Sequence, residues 1–249
     1  MFHPFLSIDR PVGFAHRGGA SVFPENTERA FRHAVELGFR YLETDVHTTA
    51  DGVLVAFHDH RLDRVTDREG AIAELPWREV GKARVAGTEP ILRMEDLLEA
   101  FPQAHVNIDP KAWGSVEPLA EVLVRTGALD RVCVTSFSRR RTVAVKRRIG
   151  DALCTGGGTS AAVEARSGTP LRRLAGVDVL QVPARIRGLE VVTERFVRYA
   201  HRRGVHVHVW TIDDPVEMER LLDLGVDGIM TDEPAVLREV FAARGLWPG

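Results

Sequence analysis

The sequence has very little cysteine and no long apolar segment. Only Cys133 and Cys154 occur among 249 residues, each in a short apolar run, so the chain has no disulfide scaffold and fits a reducing compartment. Residues 1–10 include Pro4 and Asp9 and have no apolar stretch of the kind found in secretory signals. No later run is long and apolar enough to cross a bilayer. We therefore expect a cytoplasmic protein.

The chain also lacks an excess of charge of either sign. It has 33 Lys and Arg residues against 35 Asp and Glu residues, a formal net charge of −2. This balance gives no electrostatic reason for binding nucleic acid or an anionic membrane. We expect a small-molecule ligand, no nucleic-acid partner and no stable membrane association, while a homo-oligomer stays open.

Short apolar runs alternate with segments of helical periodicity along the chain. The runs are 12–15, 41–46, 105–108, 132–135, 152–154, 179–182, 205–210 and 227–230. The helical segments are 27–37, 94–101, 117–125, 139–148, 194–202, 216–224 and 235–243. Such alternation indicates parallel βα units, and 249 residues is a usual length for one barrel of eight units. We predict an α/β fold, a (β/α)8 TIM barrel, in a single domain over residues 1–249.

One segment interrupts the alternation after the second predicted strand. An Asp51-Gly52 turn leads into the strand-like residues 53–58, and a polar stretch containing proline and glycine follows. The next helical segment begins only at Met94. We therefore predict a small insertion over about residues 53–92.

Two pairs of charged residues end neighbouring predicted strands with a spacing of two. Glu43 and Asp45 share one face of the second strand, the face that looks into the mouth of a barrel. Two carboxylates there repel each other unless a cation joins them, and the alternative is a pair of solvated or salt-bridged acids. Asp109 and Lys111 repeat the spacing after the third strand. They are either a third oxygen ligand and a phosphate contact or part of an ordinary turn.

Two histidines lie where they could act as general acid and base. His16 and Arg17 end the first strand, just before two glycines that allow the backbone to approach an anion closely. His58 lies at the start of the insertion. A lone histidine at a strand end is more often structural, but the neighbouring arginine and the second histidine favour a catalytic pair. Asp59 either orients His58 or holds a turn with Arg64.

Other polar residues near the strand ends have structural interpretations. Asn26 and Thr27 open a helix and are expected to cap it, while Glu25 before them could still reach the site. Asp232 is expected to be the N-cap of the last helix. The glycine-rich residues 156–159 lack a following Gly-Lys-Ser pattern, so a flexible loop is favoured over a nucleotide-binding loop.

The seventh predicted strand carries aromatic residues at alternating positions. Trp210 at its end is either an apolar wall for the alcohol part of a substrate or a plain core tryptophan. His206 and His208 share its face. Because no carboxylate neighbours them in the sequence, packing or hydrogen bonding is favoured over metal binding.

Taken together, the motifs resemble those of the glycerophosphodiester phosphodiesterases. That family's pattern is an Ala-His-Arg-Gly start, Pro-Glu-Asn-Thr, Glu-Thr-Asp-Val, a His-Asp segment, and Trp-Thr and Thr-Asp near the end. All of these occur here in order between Phe14 and Pro234. The resemblance implies a (β/α)8 barrel with a small insertion after the second strand, in agreement with the alternation of the predicted elements.

The resemblance also implies a role for most of the candidate residues. These roles are an acid and base pair at His16 and His58, phosphate contacts at Arg17 and Lys111, and metal ligands at Glu43, Asp45 and Asp109. Asp109 departs from the family, which commonly has glutamate there. Its side chain is one methylene shorter and precedes Pro110, so the metal sits slightly differently or a water fills the gap. An all-carboxylate set is hard, and the ion expected is one Mg²⁺ or Ca²⁺.

The reaction implied is metal-dependent hydrolysis of a glycerophosphodiester to glycerol 3-phosphate and an alcohol, with the two histidines as acid and base. In such families the substrate's own 2-hydroxyl is thought to attack, and water then opens the cyclic phosphate. Sphingomyelinase D-type enzymes resemble this pattern with aspartate at the position of Asp109, so a lysophospholipase D or sphingomyelinase D-type activity stays open. A barrel that binds a phosphate ester without turnover is a third alternative, disfavoured because every expected functional residue is present.

Overall fold

Eight parallel strands close into a barrel in the computed structural model, which describes residues 3–7, 11–158 and 176–247. The barrel strands are β1 Val12–His16, β2 Tyr41–Thr48, β3 His105–Pro110, β4 Val132–Val134, β5 Cys154–Gly157, β6 Val179–Pro183, β7 His206–Trp210 and β8 Gly228–Thr231. Each pairs in parallel with the next, and β8 pairs with β1 to close the ring. The predicted (β/α)8 barrel is confirmed.

Helices follow the strands on the outside of the barrel. In the described ranges they are α1 Glu28–Glu36, α2 Met94–Ala100, α3 Val116–Thr126, α4 Arg139–Ile149, α5 Glu194–His201, α6 Pro215–Asp223 and α7 Pro234–Ala243. Outward-facing strand residues such as Val106 and Ile108 pack with helix residues such as Leu119 in one large core. The predicted helices agree with these to within a residue or two.

Strand β5 differs from its prediction. It begins at Cys154 and continues through Gly157, whereas we expected the glycines to lie in a loop. A Cβ at Gly156 would lie 2.2 Å from Thr135 Oγ1, so the end of the neighbouring strand leaves no room for a side chain. Glycine is needed here for close packing inside the barrel. Thr159, the last residue of the expected loop, lies outside the described residues.

The amino-terminal end of the barrel is closed by a packed floor of apolar side chains. A short 3₁₀ helix, Pro4–Leu6, inserts Phe5 below the strands, where Tyr41 Oη donates to the Phe5 carbonyl at 2.7 Å. Cys133 and Cys154 face each other across β4 and β5 in the same cluster, and both are free thiols. The barrel interior is therefore filled at this end.

The segment between β2 and α2 forms the predicted insertion and has its own small core. Its elements are the strand Leu54–Ala56, antiparallel to β2, the 3₁₀ helix Ile72–Glu74, the short helix Trp77–Val80 and the paired strands Arg84–Val85 and Glu89–Pro90. Phe57, Leu62 and Ile72 are buried in a cluster separate from the main core, and Trp77 packs against it. The insertion is therefore anchored by apolar contacts of its own.

The remaining short elements lie at the two ends of the barrel. They are the 3₁₀ helices Trp113–Ser115 and Leu129–Arg131 and the hairpin strands Arg185–Ile186 and Leu189–Glu190. Within the described part of the chain, no helix combines the length and the apolar character needed to span a membrane.

His208 is part of the packed interior. Its side chain is 1% exposed, and its ring centroid lies 4.8 Å from that of Phe14. A Cβ at Gly228 would lie 2.8 Å from its Cδ2, so the ring fills the space that this glycine leaves. Burial lowers the pKa of His208 to about 3. The residue is a neutral packing group, in agreement with the packing role favoured from the sequence.

This burial predicts an acid-sensitive contribution to stability. The unfolded chain binds a proton at His208 below its ordinary pKa of 6.5, whereas the folded protein does so only near its lowered pKa of about 3. The contribution of neutral His208 to the free energy of unfolding is therefore complete above pH 6.5. It is lost as the pH falls, by up to about 1.4 kcal/mol per pH unit. We expect His208→Leu to flatten the fall in the free energy of unfolding below pH 6.5, measured by urea denaturation, whereas the exposed control His60→Gln keeps the original slope. An unchanged slope in His208→Leu would contradict this account.

Candidate active site

A cavity of about 260 Å³ opens at the carboxyl ends of the barrel strands. Every residue predicted for the site lines it, from β1, β2, β3, β7 and the insertion. The lining includes His16, Arg17, Glu43, Asp45, His58, Asn107, Asp109, Lys111, Ser136, Phe137, Gln181 and Trp210. The fold therefore brings the predicted acids, bases and cations together in one space.

Lys111 lies between two of the predicted carboxylates. Asp45 and Asp109 are partners in the register of β2 and β3. Lys111 Nζ is 2.6 Å from Asp45 Oδ1 and 3.0 Å from Asp109 Oδ2. Burial works to lower the pKa of Lys111, but the two carboxylates raise it above its ordinary value. The lysine is therefore a cation that partly offsets the repulsion between the acids.

Glu43 completes the acidic side of the cavity beside Asp45. Burial, with the neighbouring Asp45 carboxylate, raises the pKa of Glu43 to about 7. Burial likewise raises the pKa of Asp109. Because burial is the main cause of both shifts, a cation bound beside these acids would stabilise their charged forms.

The donor set fits a hard divalent cation. Three carboxylates face the cavity, and Asp45 Oδ2 and Asp109 Oδ1 are buried oxygens without a hydrogen bond. Carboxylate oxygens are the ligands that Mg²⁺ and Ca²⁺ prefer. Among the residues that the structure describes, no three His, Cys, Asp or Glu side chains form a ready-made cage. An ion here would therefore share its coordination between these carboxylates and water or substrate oxygens.

His16 is held by carboxylates on both sides of its ring. Its Nδ1 donates to Asp232 Oδ1 at 2.8 Å, and its Nε2 is 3.8 Å from Glu43 Oε2. Burial works to lower the pKa of His16, but Glu43 and Asp232 raise it above its ordinary value. The bond to Asp232 fixes the proton on Nδ1 and turns Nε2 towards the acidic side of the cavity.

The prediction for Asp232 was wrong. The N-cap of α7 is Glu233, and no side-chain bond caps that helix. Asp232 instead binds His16, while its backbone N–H donates to Asp213 Oδ1 at 2.8 Å. Its partner lies 216 positions away in the sequence, so local capping patterns gave no sign of this role.

Arg17 is fixed at the edge of the cavity by its backbone and by two carboxylates. Its φ is 51°, in the left-handed region, and its backbone N–H donates to Glu43 Oε2 at 3.2 Å. Its guanidinium lies 3.2 Å from Glu25 Oε1 through Nη1 and 3.3 Å from Asp45 Oδ2 through Nε. The side chain is thereby oriented towards the site before any ligand binds.

The Pro-Glu-Asn-Thr motif supports Arg17 and begins α1. Glu25 reaches the site through its bond to Arg17. Asn26 Oδ1 accepts from Thr44 Oγ1 at 2.8 Å, so Asn26 ties the loop to β2 rather than capping the helix. Thr27 caps α1, as predicted.

His58 is held through both its ring and its backbone. Its Nδ1 donates to Asp59 Oδ1 at 2.6 Å, and its carbonyl is 3.1 Å from His47 Nε2. Asp59 also binds Arg64, which lowers the pKa of that carboxyl to about 2. Both roles considered for Asp59 therefore occur together. His47 was missed in the sequence, although it continues the inward spacing of two from Asp45 on β2.

A pair of aromatic rings borders the mouth of the cavity. Phe137 is 61% exposed, and its ring centroid lies 5.4 Å from that of Trp210 in an edge-on arrangement. Lys111 Nζ is 5.6 Å from the Phe137 centroid. Trp210 lines the cavity, in keeping with the first of the two roles considered for it, whereas His206 on the same strand lies 4.0 Å from Asp227 and does not line it. Phe137 was missed because a single aromatic residue in a loop carries no pattern.

Asn107 and Gln181 form a neutral polar layer beneath the charged residues. Gln181 Nε2 donates to Asn107 Oδ1 at 2.7 Å, and Thr135 Oγ1 donates to the same oxygen at 3.3 Å. These residues also line the cavity. The inward position of Asn107 could have been inferred from its spacing of two from Asp109 on the same strand.

Comparison with known proteins points to one family. A family model described as the glycerophosphoryl diester phosphodiesterase family matches residues 16–236. A protein named probable glycerophosphodiester phosphodiesterase 2, from Mycobacterium tuberculosis, is 42% identical over 253 residues, which cover 98% of this chain and 96% of the relative.

Solved structures with similar folds belong to the same group. One is a putative glycerophosphoryl diester phosphodiesterase from Silicibacter pomeroyi, with a TM-score of 0.84 and 23% identity, covering 99% of this chain and 100% of that one. Another is an Oleispira antarctica phosphodiesterase in complex with the product sn-glycerol-3-phosphate, with a TM-score of 0.82 and 23% identity, covering 94% and 97% of the two chains. At this level of identity the likeness supports the barrel fold.

Proposed function

The chain belongs to the glycerophosphoryl diester phosphodiesterase family, and from that membership we propose that it hydrolyses a glycerophosphodiester to glycerol 3-phosphate and an alcohol. The observation that carries the proposal is one cavity lined by two histidines, three carboxylates and two cationic side chains. The Oleispira antarctica relative was solved with sn-glycerol-3-phosphate, which supports the same product here.

Arg17 and Lys111 bind the phosphate group in this proposal. The guanidinium of Arg17 is oriented by Glu25 and offers paired donors that match phosphoryl oxygens. Lys111 adds a point charge, and the carboxylates beside it keep it protonated. The two cations face one cavity, so a phosphodiester bound between them is held against the histidines.

The two histidines transfer the protons. Each is held at Nδ1 by a carboxylate, His16 by Asp232 and His58 by Asp59, so in each ring Nε2 is the atom left for the substrate. One Nε2 takes the proton of the attacking hydroxyl, which is the 2-hydroxyl of the glycerol moiety, and the other gives a proton to the leaving alkoxide. Water then opens the cyclic phosphate by the reverse transfers.

A divalent cation completes the site in this proposal. Glu43, Asp45 and Asp109 would hold it, and their carboxylate chemistry favours Mg²⁺ or Ca²⁺. When bound, such an ion polarises a phosphoryl oxygen and lowers the pKa of a coordinated hydroxyl.

A lysophospholipid is the second candidate substrate. The exposed Phe137 beside Trp210 offers an apolar border at the mouth, on which the acyl-bearing part of such a substrate could lie. The products would then be lysophosphatidic acid and the alcohol of the head group.

Product release from purified substrates tests the proposal. We expect glycerol 3-phosphate from glycerophosphocholine and glycerophosphoethanolamine, loss of its release with EDTA, and recovery with added Mg²⁺ or Ca²⁺. Activity on lysophosphatidylcholine alone would favour the second candidate. Release that EDTA leaves unchanged would contradict the metal, and tight binding of the diesters without turnover would favour a binding protein.

We further propose a single-domain, cytoplasmic enzyme that acts on water-soluble diesters without stable membrane association. The two buried free thiols, Cys133 and Cys154, support a reducing compartment.

A further inference from the structure

We infer that Arg64 is a positioning residue that holds both His58 and Arg17 in their working orientations. It acts on each of them through one carboxylate, Asp59 and Glu25 respectively. The inference rests on the proposed function, because it takes the roles of His58 and Arg17 from there.

Arg64 lies at the centre of a continuous chain of ionic hydrogen bonds. Its Nη1 and Nη2 donate to the two oxygens of Glu25 at 3.1 and 2.7 Å. Its Nε and Nη2 donate to the two oxygens of Asp59, the latter at 3.2 Å. The outer ends of the chain are the bond from Glu25 to Arg17 at 3.2 Å and the bond from Asp59 to His58 at 2.6 Å. One guanidinium therefore joins the phosphate-binding side of the site to one of its histidines.

The chemistry of this contact requires arginine. Two carboxylates are each bound by two donors, and only the planar fork of a guanidinium offers enough donors in fixed directions. A lysine ammonium is a single centre with three donors on a flexible stem, so it cannot hold both carboxylates in the same way. The hydrogen bonds to Glu25 and Asp59 also raise the pKa of Arg64, which supports a permanent charge here.

The backbone around Arg64 is fixed independently of the site. Leu62 is 1% exposed in the core of the insertion, and its N–H donates to the Gly70 carbonyl at 3.0 Å. Thr66 N–H donates to the Leu62 carbonyl at 3.1 Å. Arg64 thus projects from an anchored loop, and its bond to Glu25 connects the insertion with the loop that follows β1.

A purely structural role would predict a different outcome from a positioning role. The side chain of Arg64 is 49% exposed, and it does not line the cavity. Removing it leaves in place the residues that line the cavity and the apolar core of the insertion. A large loss of activity on removing it would therefore come from misplaced His58 and Arg17 rather than from a damaged fold.

Kinetics of matched arginine variants test the inference. We expect Arg64→Ala to lower kcat for glycerophosphocholine by about 10–100-fold and to raise KM. The reason is that the chain of hydrogen bonds ends at His58, which serves proton transfer, and at Arg17, which serves phosphate binding. Arg64→Lys should remain impaired. The control is Arg61→Ala, since Arg61 is similarly exposed in the same loop and, among the described residues, pairs with the nearby Asp63 at 2.9 Å. Urea unfolding should show that all of these variants remain folded under the assay conditions.

Two further measurements separate positioning from a general effect. Added guanidinium ion should restore part of kcat in Arg64→Ala and none in the control. Arg64→Ala should also lower kcat by a smaller factor in an Asp59→Asn background than in the wild type, since part of its effect passes through Asp59. The inference would be overturned if the losses of kcat in Arg64→Ala and Asp59→Asn were fully additive. It would also be overturned by wild-type kinetics in Arg64→Ala or by full activity in Arg64→Lys.

A readout without substrate keeps the two proposals distinguishable. In NMR spectra the ring signals of His58, assigned by their absence in His58→Ala, should shift and broaden in Arg64→Ala and stay unchanged in Arg61→Ala. Unchanged signals would count against positioning, whatever the substrate proves to be. An active His58→Ala enzyme would refute the proposed role of His58 in proton transfer, whereas an inactive His58→Ala beside a fully active Arg64→Ala would refute only this inference.

Discussion

We expect turnover to be lost when either histidine of the cavity is replaced by alanine. We expect His16→Ala and His58→Ala each to lower kcat by about 10²–10⁴-fold, because each variant removes one partner in proton transfer. Binding should persist, since Arg17 and Lys111 are retained. The double variant should lose little more than the worse single variant, because the two residues act in one reaction.

Steady-state turnover of glycerophosphocholine measures this effect, with calorimetric titration of glycerol 3-phosphate as the measure of binding. The matched control is His60→Ala, which removes an exposed histidine two positions after His58. Near-normal turnover in both cavity variants would refute the assignment of the acid and base. Loss of binding together with turnover would instead indicate that the histidines hold the phosphate.

We expect Asp45→Asn to lower activity nearly as much as replacing either histidine does. The Asp45 side chain is 3% exposed and contacts both Lys111 and Arg17, and in our proposal it also binds the metal ion. The amide keeps the size of the side chain but removes the charge that these cations face. We expect activity to fall by at least about 100-fold, which is more than the loss caused by replacing a residue that only supports a ligand. The affinity for Mg²⁺ or Ca²⁺ should fall with it.

Calorimetric titration with each ion, beside circular dichroism as a check of folding, tests this prediction. Asp63→Asn is the control, since that carboxylate lies in the insertion and pairs with the exposed Arg61. Wild-type metal affinity in Asp45→Asn would remove Asp45 from the ligand set. If activity were still lost, the effect of Asp45 would lie in its contacts with Lys111 and Arg17.

The barrel could be predicted because its signals are local. Each strand is a short apolar run, and the inward direction of Glu43 and Asp45 follows from the spacing of two within one strand. The same argument places Asp109 and Lys111 on the cavity side of β3. Of the barrel strands, the glycine-rich β5 departed from its prediction, because Gly156 is required by the neighbouring Thr135, which no pattern within β5 reveals.

The supporting residues of the site could not be predicted because their partners are distant in the sequence. Asp232 matched the pattern of a helix cap, and its bond to His16 exists only in the closed barrel. Arg64 was considered as a turn partner of Asp59, but its second contact, with Glu25, requires the insertion to fold against the loop after β1. Sequence spacing identified the residues proposed to contact the substrate, and the fold revealed those that orient them.

The closure of the barrel also has a consequence for biosynthesis. β1 pairs on one side with β2, which the ribosome supplies soon afterwards, and on the other with β8, which it supplies much later. His16 and Asp232 are 216 residues apart, and at about 5–20 residues per second the ribosome needs about 10–45 s to deliver the second after the first. During that time one edge of β1 is unpaired and open to other chains. Protection of this edge until β8 is synthesised would therefore guard the nascent protein against pairing with other chains, and the bond that orients His16 forms only after Asp232 has been added.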